Sequence, residues 1–313
     1  VIVPVFNKEE APTISPSQMR VWDRCPKQWH YSYVRRIKKK QKVPFYFEFG
    51  TYAHELQHVY YQTMKATNGK PGSDFLLAMM RARVMQDLGE NNMELIAAVW
   101  PRLQQFFMQH SPEIDAGIKV MEAEFEFKVP VILPSSRNII LHGITDLIYL
   151  DGNIIRIRDH KTGAKPNSHS SDSVKLDDQL LHYAIALSLY YELPIVDVEI
   201  NFIHSYIHKD QRPASEIFKL YRYQHTEVGL ELAKRNLFKK IDKMFDTEPH
   251  LNYSPSCKNC QFFDICHIEM RGLPTESLIN SAYSSRDTSI IETTKTSEHT
   301  AGNKKISLSI VNV

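Results

Sequence analysis

The sequence predicts an α/β fold with its sheet in the middle of the chain and helices on either side. Three observations carry this reading. Apolar residues recur at helical spacing through about residue 110. From Ile118 the period changes to two, first in VMEAEFEFKV and then in LHGITDLIYLDGNIIRIRDHKT, Leu141 to Thr162. After a further helical stretch, Val196, Val198, Ile200 and Phe202 alternate with Asp197, Glu199 and Asn201, an amphipathic strand.

Taken in order, residues 1–14 read as an irregular arm. Ser15 is placed to cap a helix with Pro16 at its first position, and Cys25-Pro26 breaks or restarts that helix. The basic run RRIKKKQK, Arg35 to Lys42, is either a solvated loop or a phosphate contact. Helices are expected over Gly50–Thr67 and, in two pieces, over residues 73–110. The long hairpin turns at Asp151-Gly152, a pair suited to positive φ. KPNSHSSDS, Lys165 to Ser173, reads as a polar loop. Asp177–Tyr191 forms a helix ended by Leu193-Pro194, and Thr226 caps EVGLELAKRNLFKKIDKMF. Residues 15–271 are taken as one domain. Beyond Arg271 the composition turns to Ser, Thr, Asn and Lys, so residues 272–313 are expected to form a flexible tail.

With 313 residues, 42% of them hydrophobic, the chain can bury a real core. A formal net charge of +2 supplies no global basic field, so contact with nucleic acid falls to local patches. No apolar run reaches the length of a membrane span. The opening VIVPVFNKEE does not have the form of a signal peptide, and no GxxxxGK[ST] loop is present. A cytoplasmic or nucleoid-associated protein is expected, which argues against a disulfide framework. Cys25 stands alone near the start, while Cys257, Cys260 and Cys266 form C-x2-C-x5-C near the end. Four thiolates suit zinc or an iron–sulfur cluster, and three with a local His such as His267 suit a zinc knuckle.

The hairpin carries the chemistry. Ile155, Ile157, Asp159 and Lys161 share one face of its second strand; on the first, Asp146 interrupts an apolar face with Ile144 and Ile148. Carboxylates near a core bear a desolvation cost that a hard divalent cation offsets. The plainer reading is a pair of strands with solvated surface charges. His54 stands in HELQH, the H-E-x-x-H form of a zinc metalloprotease with Glu55 as base. The longer zincin extension is missing, and that reading uses neither the Asp-Asp-Lys strands nor the cysteines. A second reading takes only His54 from this helix and joins it to Asp146, Asp159 and Lys161. Two carboxylates and an imidazole hold Mg²⁺ or Mn²⁺ for phosphodiester hydrolysis, with Lys161 orienting a water or neutralising charge on the phosphate. A non-catalytic DNA-binding or assembly module is the third.

These residues also resemble a known family. GITD, Gly143 to Asp146, followed by Asp159-His160-Lys161, is similar to the PD-(D/E)xK nuclease core. FG-x3-HE, Phe49 to Glu55, resembles the His motif of its RecB-like branch, and Gln179-x3-Tyr183 the QxxxY motif of that branch. Cys25 with the later C-x2-C-x5-C, and the opening SPSQMRVWDRCPKQWHYSYV, resemble its iron–sulfur subgroup of AddB-type and CRISPR-adaptation exonucleases. The motifs run from about Ile14 to Cys266 in the family's order. The resemblance implies a restriction-endonuclease-like mixed central sheet flanked by helices, with an iron–sulfur subdomain built from the two ends of the core. It implies His54, Asp146, Asp159 and the backbone carbonyl of His160 as ligands of Mg²⁺ or Mn²⁺, and Lys161 as the catalytic lysine. Gln179 and Tyr183 would support the site or contact DNA, with Glu55 behind the ligands. It further implies a [4Fe–4S] cluster on Cys25, Cys257, Cys260 and Cys266. The implied activity is an exonuclease on single-stranded DNA or DNA ends in repair, recombination or CRISPR-type processing, with a helicase or integrase as partner.

Overall fold

The computed structural model describes residues 11–40, 45–88, 93–163, 171–204 and 217–285. In chain order, β1 (Thr13–Ile14) leads into α1 (Pro16–Arg24) and α2 (Pro26–Trp29), and β2 (Ile37–Lys39) precedes α3 (Phe45–Thr67), α4 (Asp74–Leu88), α5 (Met93–Gln105) and α6 (Ser111–Ile114). Then come β3 (Lys119–Ile132), β4 (Asn138–Asp151), β5 (Ile154–Gly163), α7 (Ser171–Lys175) and α8 (Asp178–Tyr191). The order closes with β6 (Asp197–His204), β7 (Phe218–Gln224), α9 (Glu227–Asp246), α10 (Phe263–Met270), α11 (Glu276–Ala282) and β8 (Tyr283–Ser285).

Local chemistry fixes the element ends. Ser15 Oγ accepts from the Gln18 amide and Pro16 opens α1; after an extended Cys25, Pro26 opens α2. Asp177 accepts from the amides of Gln179 and Leu180, both at 2.9 Å, and so caps α8. Thr226 caps α9 in the same way. The hairpin loop is Gly152-Asn153, one step later than the sequence suggests: Asp151 still pairs with Ile154, and Gly152 takes φ 59°. FYFEFG, Phe45 to Gly50, belongs to α3, which therefore starts earlier than Gly50.

The expected mixed sheet is present, with helices on both faces. β3, β4 and β5 are antiparallel neighbours, β6 joins β5 in parallel, and β7 pairs antiparallel with β6. β1 lies parallel to β4 at Ile140 and Leu141. One helical layer covers Ile148 and Ile157 with Leu180, Tyr183 and residues of α1 and α9. The other covers Leu147 and Tyr149 with Leu56, Tyr60 and Tyr61 of α3 and residues of α4 and α5. One feature of register sets the site. β4 and β5 pair only from Asp151–Ile154 to Leu147–Arg158; beyond that point β5 keeps β6 while β4 keeps β3 and β1. The strands part as a fork, with Asp146 and Asp159 at its base.

Four expectations need correcting. Alternation makes β6 half-solvated, yet all its residues are buried. It is a central strand, and its polar side chains have internal partners. Glu199 pairs with Arg158 and Arg222 and accepts from Tyr149 at 2.6 Å, and Arg158 also pairs with Asp115. The tail begins later than residue 272: α11 forms, and β8 pairs with β2, because Tyr283 is buried against Phe262 and Leu278 and Ile279 pack beside it. Residues 286–313 lie outside the described residues. In the basic run, Lys39 is paired with Asp264 at 2.9 Å and Lys40 donates to the carbonyls of Asn280 and Ser281, so these two fasten the chain ends rather than face a phosphate. Gln41 and Lys42 lie outside the described residues. The polar loop gives way to α7 at Ser171, and residues 165–170 lie outside the described residues. Among the described residues, no helix is long and apolar enough to cross a membrane.

Arg158 is fully buried between two carboxylates. Arg158→Met therefore leaves Asp115 without its ion-pair partner and Glu199 with Arg222 alone, and is expected to lower the unfolding free energy by about 3–5 kcal/mol in urea denaturation. A loss no larger than that of a surface ion pair would contradict this.

Candidate active site

The fork gathers His54, Asp146, Asp159, Lys161, Gln179 and Tyr183. Gly50 lets α3 cross close to β5, since a Cβ there would stand 3.3 Å from Thr162 Oγ1. One turn later His54 Nδ1 meets Asp146 Oδ1 at 3.3 Å. Asp146 Oδ2 accepts the backbone N–H of His160 at 2.6 Å, a donor released where the β4–β5 ladder ends. Asp159 is only 2% exposed; Lys161 Nζ stands 2.7 Å from it and Gln179 Nε2 donates to it at 3.0 Å. Gln179 is the hub. Its Oε1 accepts from Lys161 at 2.9 Å and from Arg20 at 3.3 Å, and its Nε2 also reaches the Tyr183 hydroxyl at 2.8 Å. The QxxxY spacing thus places both side chains on the face of α8 turned to the fork.

The backs of the same elements are tied together. Burial holds His160 neutral, well below its ordinary pKa. Its Nδ1 meets the side-chain amides of Gln57 and Asn201 at 2.8 and 2.9 Å, and Tyr61 stacks on the ring. Gln57 belongs to α3, so the helix that presents His54 is joined to the strand that presents Asp159.

Negative charge is concentrated at the fork. Desolvation lowers the His54 pKa, but Asp146 in contact, with Asp159 and Glu124 beyond it, outweighs this and holds it up to about 9. Burial would raise Asp146; His54 and the His160 amide outweigh burial and keep its carboxyl well below the usual range. Burial pushes Asp159 up, Lys161 pulls against this, and the Asp146 charge adds to the rise. Desolvation lowers Lys161, but Asp159 outweighs it, so the side chain stays an ammonium that donates.

The sequence reading passes over two residues. Arg20, exposed on α1, donates to the hub although it lies 159 residues away in sequence. Glu124 lies on β3, and His54, Glu124 and Asp146 each place a ligand atom within 4.8 Å of the others. Glu122, Glu124 and Glu126 look alike in an alternating strand; only the pairing with β4 singles out the middle one. Among the described residues this is the only such grouping of His, Cys, Asp and Glu, and neither Glu55 nor His58 belongs to it. The HELQH metalloprotease reading needs His54 and His58 on one metal, whereas His54 meets Asp146.

The donors fit a hard divalent cation, being carboxylate oxygens and one imidazole nitrogen. Asp159 Oδ2 is buried and lies 2.7 Å from the Lys161 ammonium. At the other end of the fold, Cys25, Cys257, Cys260 and Cys266 line one cavity of about 490 Å³. Burial pushes the Cys266 thiol up to about 12, with Cys260 and Cys25 adding to the rise, so a thiolate cage here calls for a cationic guest.

The sequence model of the PD-(D/E)XK nuclease superfamily matches residues 13–267. No curated protein matches the chain. Among solved structures, the crystal structure of SSO0001 is similar at 12% identity and a TM-score of 0.38, over 83% of this chain and 88% of that one.

The glycine of GITD has a packing reason. A Cβ on Gly143 would stand 2.6 Å from the Phe127 ring and 2.7 Å from that of Tyr183. Gly143→Ala is expected to cost about 1–3 kcal/mol by overpacking. In a double-mutant cycle the cost shrinks when Tyr183 is Leu; an equal cost in both backgrounds would contradict the contact.

Proposed function

Because this match covers most of its length, the chain belongs to the PD-(D/E)XK nuclease superfamily, and we propose that it is a divalent-metal-dependent DNA nuclease working at the β4–β5 fork. The observation that carries the reading is the convergence of His54, Asp146, Asp159 and Lys161 from α3, β4 and β5 on one half-buried spot. His54, Asp146, Asp159 and the His160 carbonyl hold Mg²⁺ or Mn²⁺. The N–H and C=O of one strand residue point to the same side, so this carbonyl is directed at the fork with its amide. When bound, the cation polarises the phosphate and lowers the pKa of water.

The chain's own residues do the rest. Lys161, anchored by Asp159 and Gln179, donates to a phosphate oxygen or to the attacking water and offsets charge gathering there. Gln179 holds Lys161, Asp159 and Tyr183 in mutual register. Arg20 adds a solvent-side cation for a neighbouring phosphate. The substrate is single-stranded DNA or a DNA end, cut exonucleolytically; the branch motifs FG-x3-HE and QxxxY support this. A helicase or integrase partner follows from the same branch.

The four cysteines hold a structural [4Fe–4S] cluster. Tetrahedral zinc, with Zn–S of about 2.3 Å, sets its sulfurs about 3.8 Å apart. No three of these sulfurs lie within 4.8 Å of one another, while all four line one cavity, which favours a larger inorganic core. Bridging Cys25 to the C-terminal trio closes a loop of most of the chain and so limits the unfolded state.

The test is cleavage of end-labelled single-stranded DNA with Mn²⁺ or Mg²⁺. Asp146→Ala is expected to abolish cleavage and Glu55→Ala to retain it. Absence of cleavage by the parent chain with both metals would overturn the reading. Anaerobically purified protein is expected to contain iron and acid-labile sulfide in equal amounts; zinc in their place would overturn the cluster assignment alone.

A further inference from the structure

Helix α4 is apolar on both its inner and its outer side. Inside, Leu76, Met80 and Val84 are buried in the layer that holds Leu56, Tyr60 and Tyr61 of α3. Outside, Phe75, Ala78, Met79, Ala82 and Met85 are all exposed. Phe75, Met79 and Met85 are 54%, 47% and 60% exposed, high values for side chains of this size and polarity. Steps of three and four residues lead from Phe75 to Ala78, Ala82 and Met85, so these lie along one stripe. A helix that is apolar all round is ordinarily enclosed, and a solvent-facing stripe of this kind marks contact with another body.

The charges beside the stripe indicate which body. Asp74 and Arg81 stand a heptad apart on the same edge of it, and both are exposed. Neither is held by another side chain. If two copies of α4 run antiparallel, with the two-fold axis between Ala78 and Met79, Asp74 of each copy meets Arg81 of the other. The same register sets Phe75 against Ala82 and Met79 against Ala78, a large side chain against a small one each time.

We propose that this face of α4 is a self-association surface, on which a second copy of the chain docks through an antiparallel, isologous α4–α4 contact. The proposal stands apart from the nuclease reading, since none of these residues belongs to the fork. One helix against its copy buries less than about 1,200 Å² in total, so the dimer is a weak, concentration-dependent one.

The experiment is sedimentation velocity of the full chain over a series reaching high micromolar concentration. The parent is expected to pass from monomer to dimer across the series. Met79→Glu and Ala78→Arg each place a charge at the centre of the contact and are expected to weaken it about tenfold or more. Arg81→Glu sets like charges across the contact and is expected to weaken it; adding Asp74→Lys makes the charges opposite again and is expected to restore the dimer. These positions are exposed, so the circular dichroism of each variant should match that of the parent. A parent that stays monomeric throughout, leaving the face to a different partner, would overturn the proposal. So would a dimer that both central substitutions leave unchanged, or a double variant no tighter than Arg81→Glu alone.

Discussion

The structure around the fork follows from one constraint: carboxylates are brought together where little water reaches them. Two like charges a few ångströms apart repel strongly in such surroundings. The chain meets this with the Lys161 ammonium on Asp159, the imidazolium of His54 on Asp146, and two neutral donors, the His160 amide and Gln179 Nε2. These partners hold both acids in place, with Lys161 on one oxygen of Asp159 and Gln179 on the other. A small, doubly charged cation bound among these acids would offset their charge with one body where the protein alone uses several.

That arrangement stands only if the strands are held rigidly from behind. β5 splits its residues between two tasks by alternation: Asp159 and Lys161 face α8, while Arg158 and His160 face α3. The second set is buried and polar. Arg158 is clasped by Glu199 and Asp115, and His160 by Gln57, Asn201 and Tyr61. Such a layer contributes less to net stability than an apolar one of equal volume, but it admits few alternative registers. Register is what the site requires, because a slip of one residue would turn Asp159 and Lys161 to the wrong face.

Much of this was legible in the sequence, for identifiable reasons. The change of period at Ile118, the caps Ser15, Asp177 and Thr226, and the restart at Pro26 are local signals, and local rules recovered them. Gln179 and Tyr183 were legible because helical spacing fixes which face they share. Where tertiary context decides, sequence reasoning fell short. Glu124 is indistinguishable from Glu122 and Glu126 until β3 is paired with β4. The polar side of β6 looks solvated until Arg158 and Arg222 are placed against it. The stretch after Arg271 reads as tail because its few apolar residues pack on a small separate core under the cysteines rather than on the main one.

The two ends of the domain meet at that small core, where β2 pairs with β8 and Tyr31 packs on Phe262. The cysteine cavity thus ties down the α1–α2 segment, and α1 in turn carries Arg20 to the fork. The central claim is that the fork is a cation site. Its most direct test is to locate Mn²⁺ in crystals of the protein by anomalous scattering. A peak at the base of the fork, bonded to His54 and Asp146, is the expected result. A fork that takes up no Mn²⁺ while the chain remains folded as described would contradict it.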